Sequence, residues 1–294
     1  MHRYLRAIGF SEQTNEEVKQ LLIDTIQKAD YRGITMSEND DMLAEFGRDY
    51  ASGLGITVAG VFDEKENFQI DYYFPYLKGE GITTYEDVTV ERHAAQDSYA
   101  GICDDYRLGI SMIFYVTNKI PYVKAMSTGR LPVRGTSLTL SALSVKGSIL
   151  LPLQKDTWDM DRLKQKSIKR QSLLRDAKNG DEHAIEILTV EDMDLYQEMS
   201  RRIYREDLYS LVDTSFMPYG VECDQYTIIG EILAVRTVTN HITEEQIWLL
   251  TLQCNDLTFD VAINIIDLFG EPKVGRRFKG VIWLQGRINF PEEI

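Results

Sequence analysis

From residue 224 onward the sequence has the spacing of β-strands throughout. Four runs of strand length, rich in apolar and β-branched residues, follow one another between short polar turns: residues 226–238, 246–253, 257–264 and 278–288. Gly230, Gly280 and Gly286 lie inside these runs, where glycine is typical of a bulge or a tight bend. Short strands that bend in this way favour a small closed or half-closed barrel. The pattern therefore predicts an OB-like or SH3-like β-barrel domain over residues 224–294.

The N-terminal part begins with helical spacing. Thr14 and Glu17 have the spacing of a capping box, and apolar residues then recur every three or four positions up to Ala29. A second, shorter helix is predicted after Ser37, because acidic residues follow that serine and Met42, Leu43 and Phe46 would form a buried face.

Strand-like alternation follows in the rest of the N-terminal part. Residues 56–62 and 68–74 predict a β-hairpin around a polar turn, and further strands are predicted at 85–90 and 108–117. Strands at 136–145 and 148–153 would be joined by a tight turn at Lys146 and Gly147. Residues 1–155 are therefore predicted to form an α+β domain, a mostly antiparallel sheet with two helices.

Between these two parts, residues 156–223 are predicted to be a helical connector. The run from Thr157 to Lys178 contains no proline or glycine, and Asn179 and Gly180 would end its helix. Residues 156–180 carry seven basic against four acidic residues, whereas 181–223 carry three basic against eleven acidic residues. The fold class expected for the whole chain is therefore α+β in three parts: a sheet with two helices, a helical connector and a small barrel.

The composition limits the class of partner and the location. The 294 residues carry a formal net charge of −14, which argues against a generic nucleic-acid coat or a protein that binds anionic membranes. Cys103, Cys223 and Cys254 show neither zinc-ligand spacing nor a paired disulfide framework, so reduced thiols in a cytoplasmic protein are expected. The N-terminal residues lack the apolar core of a secretory signal.

One candidate binding site lies in the last part of the chain. Cations flank an aromatic residue on a predicted barrel hairpin, and such a group could hold single-stranded nucleic acid or a phosphorylated sugar by charge and stacking. Its members are Lys273, Arg276, Arg277, Phe278 and Lys279. The alternative is that these cations only keep an exposed turn soluble. The preferred hypothesis is a non-enzymatic binding protein whose barrel surface takes an unknown protein or a small anionic ligand.

A rival hypothesis is a hydrolase that depends on a divalent metal. Carboxylates beside an imidazole could coordinate a hard cation or share acid and base duties, and the candidates are Glu91, His93, Asp97, Asp104 and Asp105. The alternative is that they form turns or solvated charge. The sequence contains no metalloprotease motif, phosphate-binding loop, dinucleotide-binding turn or nucleophile elbow, so no cofactor is expected.

A third hypothesis is association with nucleic acid through the basic helix at 162–178. Its candidate contacts are Arg162, Lys164, Lys166, Lys169 and Arg170. The simpler interpretation is that the adjacent acidic stretch packs against these cations and neutralises them.

Four stretches of the chain carry a resemblance to a known family. They are MHRYLRAIGFS, CDDYRLGISMIFYVTN, LTLSALSVKGSILLPLQK and DLFGEPKVGRRFKGVIWLQGRI. Together they resemble an uncharacterised family of about this length from anaerobic Gram-positive bacteria, and the resemblance covers essentially the full chain. That family has no assigned activity, cofactor or catalytic residue, so the resemblance implies a bacterial cytoplasmic setting and transfers no site.

Overall fold

The structure is a computed structural model that describes residues 1–37, 41–92, 98–105, 107–108, 110–129, 136–153, 169–170, 172–202, 212–220 and 224–290. For residues 194–202 it describes the backbone only. The fold is mixed α+β. A four-stranded antiparallel sheet forms the N-terminal part, a closed five-stranded barrel forms the C-terminal part, and a few helices accompany them.

The N-terminal sheet has its strands in sequence order. These are β1 (Tyr31–Met36), β2 (Met42–Ala51), β3 (Leu54–Phe62) and β4 (Phe68–Leu77). Helix α1 (Asn15–Gln27) precedes them and has the predicted capping box: the Thr14 hydroxyl accepts the Glu17 N–H at 3.3 Å, and the Glu17 carboxylate accepts the Thr14 N–H at 2.7 Å. The hairpin predicted at 56–62 and 68–74 is confirmed as β3 and β4.

The helix predicted after Ser37 is wrong, because Met42, Leu43 and Phe46 lie on strand β2. This strand pairs with β1 on one side and β3 on the other, and most of its residues are buried. A short apolar run that is buried on both faces carries no alternation to distinguish it from a buried helix. Pairing with two neighbours outweighed the helical spacing of three apolar residues.

The barrel has five strands. They are β8 (Ser137–Leu150), β10 (Gln225–Thr239), β11 (Gln246–Cys254), β12 (Leu257–Asn264) and β14 (Arg277–Asn289). Their order around the barrel is β8, β12, β11, β10 and β14, and β14 pairs again with β8 to close it. The β8–β12 pairing is parallel and the other four are antiparallel.

Strand β8 differs from the prediction in two ways. Residues 136–153 were expected to form two strands around a turn at Lys146 and Gly147, but Ser137–Leu150 is one continuous strand. Gly147 serves close packing rather than a turn, because a Cβ there would lie 2.4 Å from the Phe278 ring. The barrel was also expected within 224–294, whereas one of its strands comes from before residue 155, so this sheet crosses that predicted boundary.

The remaining elements extend the barrel sheet or cover it. Strands β7 (Met112–Val116), β6 (Tyr99–Cys103) and β5 (Val88–Arg92) continue the sheet from β14, β9 (Ser215–Pro218) pairs with β10, and β13 (Leu268–Phe269) pairs with β8. The helices are α2 (Lys119–Ser127), α3 (residues 172–178), α4 (Glu182–Arg202) and the 3-10 turns Arg3–Ile8 and Ile265–Asp267. None of the helices described has the length and apolar character needed to cross a membrane.

Two apolar cores hold these layers together. The first fills the barrel and includes Phe259 and Phe278, both almost fully buried. The second joins the N-terminal sheet and α1 to barrel residues such as Leu143 and Trp283. The N-terminal sheet is therefore held against the barrel, and a cleft remains between one face of that sheet, α2 and β14.

Candidate functional site

A cleft of about 320 Å³ opens between the N-terminal sheet, the start of α2 and strand β14. Its lining comes from six elements and the segments that follow them: Tyr31, Glu45, Gly47, Thr57, Tyr76, Leu77, Lys78, Gly79, Thr117, Asn118, Pro121 and Arg287. This volume lies at the lower end of the roughly 300–1,000 Å³ usual for ligand sites. The cleft is thus of a size for a small molecule.

One face of the N-terminal sheet forms the floor of the cleft, and a glycine of β2 lies on that face. Gly47 on β2 pairs with Tyr31 on β1 and with Thr57 on β3. A Cβ at Gly47 would meet no atom closer than Thr57 Oγ1 at 3.5 Å, so this glycine keeps the floor open. By alternation, Glu45 lies on the same face of β2 as Gly47.

Glu45 is a buried carboxylate at the base of the cleft. It is 2% exposed, and its nearest cation is the equally buried Lys119 on α2, with Nζ 3.9 Å from Oε1. Lys119 Nζ donates instead to the Tyr72 hydroxyl at 2.7 Å. Burial raises the pKa of Glu45 to about 7, and the Lys119 ammonium opposes that rise. Among the described residues none donates a hydrogen bond to this carboxylate.

A second charge pair forms one wall. Lys78 Nζ lies 2.8 Å and 2.7 Å from the two carboxylate oxygens of Asp49, and the Tyr76 hydroxyl donates to the same carboxylate. Burial raises the pKa of Tyr76, and the bond to Asp49 adds to the rise. Tyr76 therefore contributes an uncharged aromatic side chain to this wall, and the charge of Lys78 is balanced by Asp49.

A further wall, formed by β14 and the start of α2, holds a cation that has no ion pair among the described residues. Asn118 fixes the start of α2 to β14, because its Nδ2 donates to Ile288 O at 2.8 Å and its Oδ1 accepts the Ile288 N–H at 3.0 Å. Arg287 is next to this clamp and exposed to solvent. Its side chain has no ion pair or hydrogen bond within the part of the chain that the structure describes. The positive end of the α2 dipole lies at the same wall, so the wall attracts anions.

A second cavity, of about 490 Å³, lies beside Tyr72 and Tyr73. The hydroxyls of both tyrosines are already used, since Tyr73 accepts the His2 backbone N–H at 3.0 Å and Tyr72 accepts from Lys119. Burial lowers the pKa of His2 to about 4, so this ring is neutral near pH 7. This cavity offers less for recognition than the cleft.

The structure corrects two residues of the predicted hairpin site. Phe278 is fully buried in the barrel core and cannot stack on a ligand. Arg277 is 4% exposed, and its guanidinium donates to Leu151 O and Val212 O, while burial lowers its pKa. Both belong to β14, whose residues at this point pair with β8 and β10 to close the barrel.

The other three hairpin cations lie nearer the surface. Lys273 Nζ is 2.8 Å from Glu271 Oε2, and Arg276 Nη1 donates to Glu271 O at 2.8 Å. Lys279 is half-buried on β14. A binding role for these three stays a prediction.

The predicted metal residues are not brought together where the structure describes them. Glu91 is exposed on β5, Asp104 is exposed and accepts from Ser111, and His93 and Asp97 lie outside the described residues. Asp105 is buried, and Arg107 Nε donates to its Oδ1 at 2.8 Å while Nη2 holds the other oxygen. Across the described ranges no cluster of three histidine, cysteine or acidic side chains could hold a metal ion.

Asp105 acts in this structure as one half of an ion pair. Burial raises its carboxyl pKa, but the Arg107 bonds and charge outweigh burial and hold that pKa below its usual value. Cys103 is buried nearby, and burial together with the charge of Asp105 raises its thiol pKa to about 12. The thiol is therefore un-ionised near pH 7.

Asp105→Asn is expected to lower the free energy of unfolding by about 2 to 4 kcal/mol, because Arg107 loses the charge that holds it. The neighbouring Asp104→Asn is the matched control, and its exposed carboxylate is expected to change stability by under about 1 kcal/mol. Urea unfolding measures both. Because the folded pKa of Asp105 is depressed, its contribution is present at neutral pH and lost as pH falls through that pKa, so the difference between the variants should shrink in acid. Equal effects of the two variants at pH 7 would contradict the assignment.

The basic helix is only partly described. Arg162, Lys164 and Lys166 lie outside the described residues, and Lys169 is exposed. Arg170 Nη2 lies 2.6 Å from Asp192 Oδ1, and its Nη1 lies 3.7 Å from Glu191 Oε2, both on the acidic helix α4. At this residue the acidic stretch does pack against the basic one. Binding of nucleic acid stays a prediction.

The fold and cleft define a mixed α+β protein with a closed five-stranded barrel and a ligand-sized site beside it. The chain belongs to the family described as a domain of unknown function, E. rectale Gene description (DUF3881), whose model matches residues 5–286. The match agrees with the resemblance seen in the sequence. No curated protein and no solved structure matches the chain.

Proposed function

We propose that this protein is a non-enzymatic binding protein for a small organic anion, which it holds in the cleft between the N-terminal sheet, α2 and β14. The observation that supports this most is Arg287, a cation at the cleft with no partner among the described residues. The other two charged lining residues, Lys78 and Glu45, each have an opposite charge nearby. The cleft therefore has one uncompensated positive charge in a protein of net charge −14.

Binding is favoured over catalysis by the state of the reactive groups. Cys103 and Cys254 are buried away from the cleft lining, and burial raises the pKa of each thiol to about 12. Lys119 is engaged by Tyr72 and faces Glu45, so its ammonium serves as a structural counter-charge. Among the described residues, the lining of the cleft therefore contains groups that can bind an anion but no activated nucleophile.

The experiment is a thermal-shift screen with sugar phosphates, nucleoside monophosphates and di- and tricarboxylates. At least one class is expected to raise the melting temperature, because a ligand present at 100 times its Kd stabilises the folded state by about 2.7 kcal/mol. Arg287→Ala should abolish the shift, and Arg32→Ala, another exposed arginine without a described partner, should retain it. A panel without any shift, or a shift that survives Arg287→Ala, would refute the proposal.

A further inference from the structure

Two buried polar groups on the floor of the cleft lack hydrogen-bond partners. Thr57 is 6% exposed and Glu45 is 2% exposed, yet neither side chain has a hydrogen bond to any described residue. Across those same residues, no fully enclosed side-chain nitrogen or oxygen lacks a partner. The oxygens of Thr57 and Glu45 therefore reach the open space of the cleft, where an occupant can bind them.

The charge around Glu45 selects the kind of group that would bind there. With Lys119 Nζ 3.9 Å away, a further cation gains little from the Glu45 carboxyl and is repelled by the lysine, whether or not the carboxyl carries its proton. A neutral hydroxyl can donate to the carboxylate, and it can donate to or accept from Thr57. The floor is thus suited to hydroxyl groups.

The walls supply the remaining contacts. Tyr31 and Tyr76 present aromatic rings to the cleft, and rings of this kind pack against the C–H face of a small cyclic molecule. Arg287 and the start of α2 supply the positive charge. A small molecule that contacts the floor, the aromatic walls and the cationic wall would therefore have several hydroxyls, an apolar ring face and one anionic group.

We infer that the cleft binds a sugar that carries an anionic group, with its hydroxyls on Glu45 and Thr57 and its phosphate or carboxylate on Arg287. This inference rests on the proposed function and names the ligand class. Glucose 6-phosphate and glucuronate represent the two sources of negative charge, and comparing them shows which anion the site prefers.

The experiment is calorimetric titration of the full chain with five probes. Glucose 6-phosphate or glucuronate is expected to bind at least about tenfold more tightly than glucose, inorganic phosphate or succinate, since each control lacks at least one group that the cleft recognises. Thr57→Val keeps the shape of the side chain and removes its hydroxyl, so it should remove most of that advantage and leave phosphate and succinate binding unchanged. Thr258→Val, at an exposed threonine of β12, is the matched control and should change nothing.

Glu45→Gln should also reduce the extra affinity for the anionic sugars. If this variant does not fold because Lys119 has lost its counter-charge, Thr57→Val alone tests the inference. The two proposals fail in different ways. If none of these anions and none of the thermal-shift panel binds, the proposed function is wrong. If anions bind through Arg287 but the hydroxyls add no affinity, or Thr57→Val does not reduce their contribution, only the sugar assignment is wrong.

Discussion

Phe278→Ala is expected to lower the free energy of unfolding by about 3 to 5 kcal/mol, the usual range when a fully buried aromatic side chain is truncated. Phe278 is 0% exposed, and its ring fills the space over Gly147 that a Cβ there would occupy. The residue thus joins β14 to β8 at the closing seam of the barrel. Its loss would leave a cavity where the two strands meet.

Phe269→Ala is the matched control for this variant. Phe269 is 82% exposed on β13, so its truncation should change stability by less than about 0.5 kcal/mol. Denaturant titration of the three proteins gives both differences. The closed barrel predicts a large effect only at Phe278, whereas a small effect there would mean that the ring lies at the surface, as the sequence first indicated.

Lys119→Met is expected to destabilise the protein by about 3 kcal/mol or more at pH 8 and by clearly less at pH 5.5. The lysine is the counter-charge of buried Glu45, and breaking a buried pair leaves an uncompensated charge. In the folded protein the pKa of Glu45 is raised to about 7, and without Lys119 it should rise further. At pH 5.5 the carboxyl binds its proton and avoids the penalty.

The sign of the pH dependence follows from the raised pKa. The folded state holds the Glu45 proton more tightly than the unfolded chain, whose glutamates have ordinary pKa values near 4.5, so the stabilising contribution is lost as pH rises through about 7. Urea titrations at the two pH values measure the effect. Lys124→Met, at an exposed position of the same helix, should show no such dependence. Combining Glu45→Gln with Lys119→Met should remove the pH dependence. A loss of stability in Lys119→Met alone that is the same at both pH values would contradict the pairing of Lys119 with Glu45.

The strands of the fold were predictable where the pattern is local. In the hairpin, β3 is a short apolar run and β4 alternates from Phe68 to Phe74. The runs at 226–238, 246–253, 257–264 and 278–288 correspond to β10, β11, β12 and β14. Strand β8 was misjudged because its glycine indicates a turn in the linear sequence. Its real role appears only once Phe278, more than a hundred residues later, packs on it.

The cleft was not predictable for a related reason. Its residues come from β1 to β4, the start of α2 and β14, so Tyr31 and Arg287 are more than 250 residues apart in the chain. The one local signal is the alternation of Glu45, Gly47 and Asp49, which places all three on one face of a strand. That signal was lost because β2 was predicted to be a helix. The sequence around Lys119 does not indicate that this lysine is buried, because its burial results from the docking of α2 against the sheet.

Binding of an anionic sugar in the cleft is tested most directly by an NMR titration of the labelled protein with glucose 6-phosphate and with glucuronate, followed through backbone amide shifts. We expect the amides that shift and then saturate to belong to the cleft, at Gly47, Thr57, Arg287 and the first turn of α2. Shifts confined to residues 273–279, or no shifts with either compound, would contradict binding in the cleft.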